Sequence, residues 1–160
     1  GIPALLVGQS MGQVFFQAAT QEKVKTGNAR KTFNSTASKL LVIGLPIFGL
    51  LFFIIEDLFS IVFGEDWRVA GRYAKILLPV YFVRFYASTT STIYYVFEKN
   101  KIELLWQLSL LVLVLLTFFI AKMYKYDFEE FLILLSCLLT VDYLIYFAIG
   151  IYISRGYTKA

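Results

Sequence analysis

The sequence predicts an all-α integral membrane protein of about five transmembrane helices, and three observations carry that prediction. Of the 160 residues, 59% are hydrophobic and only 16% are charged, with a mean hydropathy of +0.71, whereas roughly a quarter of a soluble domain is charged. Apolar stretches long enough to cross a bilayer recur along the chain, and polar residues gather between them. Summed over alternate turns, those polar residues are mainly basic on one side and mainly acidic on the other. A helix of about 20 residues spans the hydrocarbon core with its backbone groups bonded internally, so each such stretch reads as one helix.

In chain order, residues 2–19 read as the latter portion of a helix, followed by segments at about 36–55, 73–97, 102–121 and 128–153. The first residues, Gly1-Ile2-Pro3, have neither an initiator Met nor a basic stretch ahead of an apolar core, so the chain is expected to start inside a longer protein. Residues 20–39 read as a basic, solvated connector that attracts anionic headgroups, with Gly27-Asn28 as its turn or a helix end. The last four segments are joined by short connections, which makes sequential helices antiparallel neighbours. No linker or low-complexity stretch divides residues 1–160, which form a single membrane domain.

Orientation follows from Lys and Arg, which are retained on the cytoplasmic side. Nine basic residues (Lys23, Lys25, Arg30, Lys31, Lys39, Lys99, Lys101, Arg155 and Lys159) fall on one side and five (Arg68, Arg72, Lys75, Lys122 and Lys125) on the other. Acidic residues are distributed the opposite way, three against seven. Residues 20–39, the turn near residue 100 and the C-terminus are therefore expected in the cytoplasm, with the turns around Asp66 and Asp127 outside. The net charge of +4 is a topology signal with no nucleic-acid footprint, because the basic residues cluster at helix ends. Asn34-Ser35-Thr36 matches a glycosylation pattern but falls on the side where that modification does not occur.

Several chemistries are excluded within these residues. There is no His, which removes imidazole-based triads, zinc sites and proton relays. Cys137 is alone in an apolar run, reads as a buried small side chain, and permits no internal disulfide. No phosphate-binding Gly-rich loop precedes a Lys-Ser or Lys-Thr pair. No catalytic residue, metal site or cofactor is assigned, and the chain is read as a non-enzyme.

Polar residues inside the apolar segments are the functional leads. Gln9, Gln13 and Gln17 recur every four residues and share one helix face, with Ser10 beside them. They either line a wet cavity, offering donors and acceptors to sugar hydroxyls, or hold helices together by hydrogen bonds. Gly8 and Gly12 form a GxxxG pair that reads as a packing device. Pro46 and Pro79 each remove a helical hydrogen bond, shaping the helix or serving as a bend. Near the end of the third segment, Ala87 with Ser91 and Ser88 with Thr92 make small-residue pairs that admit a neighbouring helix or line a pathway. Glu56 and Asp57 read as a solvated helix end. Arg84 and Asp142 stand near mid-helix, where an ionised group facing hydrocarbon costs several kcal/mol. Each is expected to face a partner, the bundle interior or water.

The stretch from Val62 to Pro79, VFGEDWRVAGRYAKILLP, resembles the loop and helix start typical of O-antigen and capsular polysaccharide flippases. Phe97-Glu98-Lys99-Asn100-Lys101 followed by Leu104-Leu105-Trp106-Gln107 resembles their next cytoplasmic turn, and GQSMGQVFFQAA, Gly8 to Ala19, is similar to a helix end of the same proteins. Their superfamily, the multidrug, oligosaccharidyl-lipid and polysaccharide exporters, is built from two bundles of six helices around a central cavity. The resemblance implies that the five segments are the end of the eighth helix through the twelfth, with the first bundle absent. It further implies alternating access to an undecaprenyl-pyrophosphate-linked glycan in the bacterial inner membrane, as in lipopolysaccharide O-antigen or capsule assembly. The fragment alone is not expected to transport. Arg84 then has three possible compensations: Asp142 at similar depth on a parallel helix, the substrate pyrophosphate, which suits a planar guanidinium fork, or water. Competing readings are a drug or cation antiporter of the same fold, whose coupling-ion residues the absent bundle would hold, and a membrane-embedded glycan polymerase or ligase. The last is expected to carry a long outer loop with catalytic Arg or His, and the outer loops here are short.

Overall fold

The computed structural model describes residues 2–156, with side chains from residue 12 onward. Every element among them is helical: α1 (Ile2–Thr26), α2 (Arg30–Phe63), a single 3-10 turn (Glu65–Trp67), α3 (Arg68–Thr90), α4 (Thr92–Val96), α5 (Asn100–Tyr124) and α6 (Phe128–Ser154). Among the described residues α2, α5 and α6 are long and apolar enough to cross a membrane, and the protein is an all-α membrane protein. Four of the five expected segments lie within single helices, whereas the third, 73–97, is divided at Ser91 into α3 and α4 and ends at Val96; α3 lacks the apolarity of these three because it carries Arg68, Arg72, Lys75, Arg84 and a Ser/Thr run. It packs instead against α1, α2 and α6.

The connector expected over residues 20–39 is a correction. Helix α1 runs on to Thr26 and α2 begins at Arg30, which leaves a turn of three residues around Gly27, whose φ is 76°. The sequence from Arg30 to Lys39 is polar but contains no helix breaker, so α2 projects as a polar extension of its apolar length. At 34 residues it is about 50 Å long, well beyond the roughly 30 Å hydrocarbon core. Pro46 and Pro79 both lie inside uninterrupted helices.

A break occurs at Ser91, between α3 and α4, where no proline stands. There the side chains turn back on their own helix: Ser88 and Thr89 donate to the Phe85 carbonyl (3.1 and 3.3 Å), Thr90 to Tyr86 (2.9 Å), Ser91 to Ser88 (3.0 Å) and Thr92 to Thr89 (3.4 Å). Such bonds compete with the helical ladder and loosen it.

Helices α5 and α6 are separated by a left-handed Lys125 (φ 55°) and a capping box. The Asp127 carboxylate accepts from the Glu130 amide (2.8 Å) and the Glu130 carboxylate from the Asp127 amide (3.0 Å), satisfying amides at the start of α6. The antiparallel-neighbour expectation holds for α2 with α3 and for α5 with α6. Between the third and fourth expected segments only the short α4 meets α5, because α6 takes the place beside α3.

The core lies toward the end of the bundle where α1 finishes and α2 begins. Phe15, Ala19, Phe33, Ile93, Tyr94 and Tyr146 are buried together there. Lys23 donates to the Val96 carbonyl (2.6 Å), with its ammonium 5.0 Å from the Phe97 ring centroid, and the Ala29 amide donates to the Ser154 carbonyl (2.8 Å). At the opposite end ion pairs replace apolar packing. Arg68 bonds Asp57 (2.5 Å) and Glu65 (2.6 Å), Lys75 bonds Glu56 (2.9 Å), and Arg72 reaches Glu129 of α6 (3.8 Å). Glu56 and Asp57 are thus one side of the α2–α3 clamp rather than a merely solvated helix end.

Candidate functional site

The polar groups level with the apolar spans of α5 and α6 include Arg84 of α3, Ser109 of α5 and Asp142 of α6. Helices α3 and α6 run in the same direction, and their register is fixed by the Ser136 hydroxyl donating to the Ile76 carbonyl (2.7 Å). From that bond Arg84 is eight residues on and Asp142 six. At about 1.5 Å per residue they differ by about 3 Å in depth. Equal depth does not make them a pair. Asp142 turns toward α5, where Ser109 donates to its Oδ1 (3.2 Å), and its Oδ2 is buried with no hydrogen-bond partner among the described residues. Arg84 is exposed and has no ion pair among the described residues. Of the three compensations, the Asp142 ion pair is therefore not formed.

The α5–α6 seam continues from Asp142 into an aromatic stack. Trp106 lies 3.9 Å from Tyr146 at 20°, and Tyr94 covers the other neighbour position at 4.6 Å and 17°. The Tyr94 hydroxyl donates to the Tyr146 carbonyl (2.6 Å), and the Tyr146 hydroxyl donates to Glu103. Trp106 Nε1, like Asp142 Oδ2, is buried without a partner among the described residues, which is uncommon for buried polar atoms in native proteins. Two carboxylates, Glu103 and Asp142, thus face one seam with aromatic rings between them. Sequence reasoning counted Glu103 only toward topology. The signal was present as Glu103, Trp106 and Ser109 at three-residue spacing opposite Asp142 and Tyr146, which puts each set on one helix face.

The glutamine face of α1 is only partly within view. The Gln9 side chain lies outside the described residues. Gln13 and Gln17 are exposed, while Phe15 and Ala19 supply the buried face of the same helix. Neither glutamine makes a hydrogen bond to another helix among the described residues, so they do not hold this bundle together. A Cβ at Gly12 would meet no described atom within 4 Å, so no helix among the described residues packs closely on it. Gly8 lies outside the described side chains. Ser88 is exposed and Thr92 half-buried; each spends its proton on its own helix and retains only acceptor capacity. Cys137, expected to be buried, is exposed on α6.

Electrostatics outside the membrane segments are set by the α2–α3 turn. Hydrogen bonds from Arg68 and then Ser60 hold the Glu65 carboxyl below the ordinary 4.5, and Glu65 and Asp57 push the Arg68 guanidinium up. Among the described residues no group of three or more acidic, Cys or His side chains is arranged to hold a metal ion. No known protein family, curated protein or solved structure matches this chain.

Proposed function

We propose that this chain is part of a flippase that carries an undecaprenyl-pyrophosphate-linked oligosaccharide, an O-antigen or capsule repeat unit, across the bacterial inner membrane by alternating access. The single observation that carries the reading is Arg84, a guanidinium about level with Asp142 of the apolar helix α6, exposed and without an ion pair among the described residues although that carboxylate lies on the adjoining helix. An uncompensated charge there is costly, and a pyrophosphate passing along that face satisfies it through bidentate, charge-assisted bonds. The exposed Gln13 and Gln17 of α1 fit the same reading, since carboxamides offer sugar hydroxyls both donors and acceptors. The cytoplasmic side in this reading is the end bearing the α1–α2 turn and the C-terminus.

The test is polysaccharide export by the full-length transporter at matched membrane levels. Arg84→Ala and Arg84→Lys are both expected to lower export, Lys because it keeps charge but loses the fork. Arg84→Asp combined with Asp142→Arg is expected not to restore it, since Asp142 serves Ser109. Unchanged export by Arg84→Ala would remove Arg84 from the transport path.

A further inference from the structure

Where α1 and α2 diverge from their tight turn, they enclose an open cleft of about 690 Å³. Its lining is graded along the helix axes. Val14, Phe15 and Ala18 of α1 line the deeper part, and Lys25, Lys31 and Lys39 stand around the polar part with the hydroxyls of Ser35 and Thr36 between them. Lys31, Ser35 and Lys39 follow at four-residue spacing and form one face of α2. All three lysines are exposed, and none makes an ion pair among the described residues. The acid at the cleft, Glu22, is already committed. Its two oxygens accept the amides of Lys31 (3.0 Å) and Thr32 (2.7 Å) and cap the start of α2. Those bonds hold its carboxyl below 4.5 in spite of the upward push of burial. The cleft thus sets three cations against one carboxylate, Glu22, whose charge Lys31 also feels, beside an apolar floor, and Lys39 immediately precedes the apolar run that begins at Leu40.

We propose that this cleft is a binding site for one anionic phospholipid, its phosphate among Lys25, Lys31 and Lys39 and its acyl chain along Val14 and Ala18. Cations at the level where a helix enters the membrane meet headgroup phosphates. Three compact ammonium groups, with no guanidinium fork, suit a single phosphate better than a bidentate pyrophosphate. The inference does not rest on the transport role, and its readout needs no substrate.

The probe is the full chain in nanodiscs of phosphatidylcholine with about one part in ten of phosphatidylglycerol. A fluorophore sits on Gln21→Cys in a Cys137→Ser background, and its quenching by chain-brominated phosphatidylglycerol is compared with quenching by brominated phosphatidylcholine. Quenching by the anionic lipid is expected to saturate at one lipid per protein. Its apparent affinity is expected to fall about fivefold for each of Lys25→Gln, Lys31→Gln and Lys39→Gln, and to survive the corresponding Arg substitutions. The last also show that loss is not misfolding. A control that removes three charges elsewhere, Lys101→Gln with Lys122→Gln and Arg155→Gln, is expected to leave quenching unchanged. An equal fall in that control would reduce the site to general surface attraction. Displacement of the lipid by millimolar inorganic phosphate, or by an equimolar polyprenyl pyrophosphate, would overturn the assignment in favour of a free anion or the transported lipid.

Discussion

The α2–α3 contact makes the most direct prediction, because one glycine sets its distance. A Cβ built on Gly71 of α3 would lie 2.7 Å from the Glu56 Cα of α2, 3.2 Å from the Ile55 carbonyl oxygen and 3.2 Å from the Phe59 Cβ. Non-bonded carbons rest about 3.5–4.0 Å apart, so Gly71→Ala requires the two backbones to separate by about 1 Å. Backbone has no alternative rotamer with which to yield. The separation also strains the Glu56–Lys75 pair one turn along (2.9 Å). Overpacking of this kind costs roughly 1–3 kcal/mol. With the sensitivity of a domain of this size, the unfolding midpoint of the purified protein in detergent should drop by roughly 2–12 °C. Gly49→Ala on α2 is the matched control, since a Cβ there meets no described atom within 4 Å; it should be neutral or slightly stabilising, as helix propensity favours Ala. Equal midpoints for the two variants would refute the close approach of α2 and α3.

Gly156→Ala should loosen the junction of the α6 terminus with the α1–α2 turn, because Gly156 has φ 75° and an added Cβ would collide with the Gly27 carbonyl oxygen; faster amide exchange at Ala29, whose N–H bonds the Ser154 carbonyl, would report it. Glu65 has a folded value depressed below 4.5 by Arg68, so its contribution to the α2–α3 turn is present above 4.5 and lost as pH falls through the depressed value. Proteolysis within residues 64–67 should accordingly rise in acid, and Arg68→Gln should weaken that pH dependence, leaving the part due to the Ser60 hydrogen bond. With the orientation proposed, single cysteines at Gly64 and Tyr126 in a Cys137→Ser background should label from outside intact cells with an impermeant reagent, whereas labelling at Gly27 would invert the topology.

The helices themselves were legible in the sequence because length and apolarity are local properties. Runs such as Leu40–Ile55 and Leu104–Ile120 have no means of hiding from water except a bilayer, whatever they pack against. Turn chemistry was legible for the same reason at Gly27-Asn28. The Asp127 and Glu130 capping box was also readable in principle, but their charge was used instead for topology. What the sequence did not decide was which faces meet. Arg84 and Asp142 could be placed at similar depth by counting residues, yet only the packing of α6 between α3 and α5 turned Asp142 to Ser109 and left Arg84 without a carboxylate. The polar residues from Arg30 to Lys39 read as a connector on composition alone. They form helix because Glu22 of the preceding helix caps their first free amides, a contact between residues nine and ten positions apart. Hydropathy is carried by each residue alone and survives in the sequence, whereas the rotation of one helix about its axis against the next is fixed by side chains far apart in the chain, and it appears only once the helices are packed.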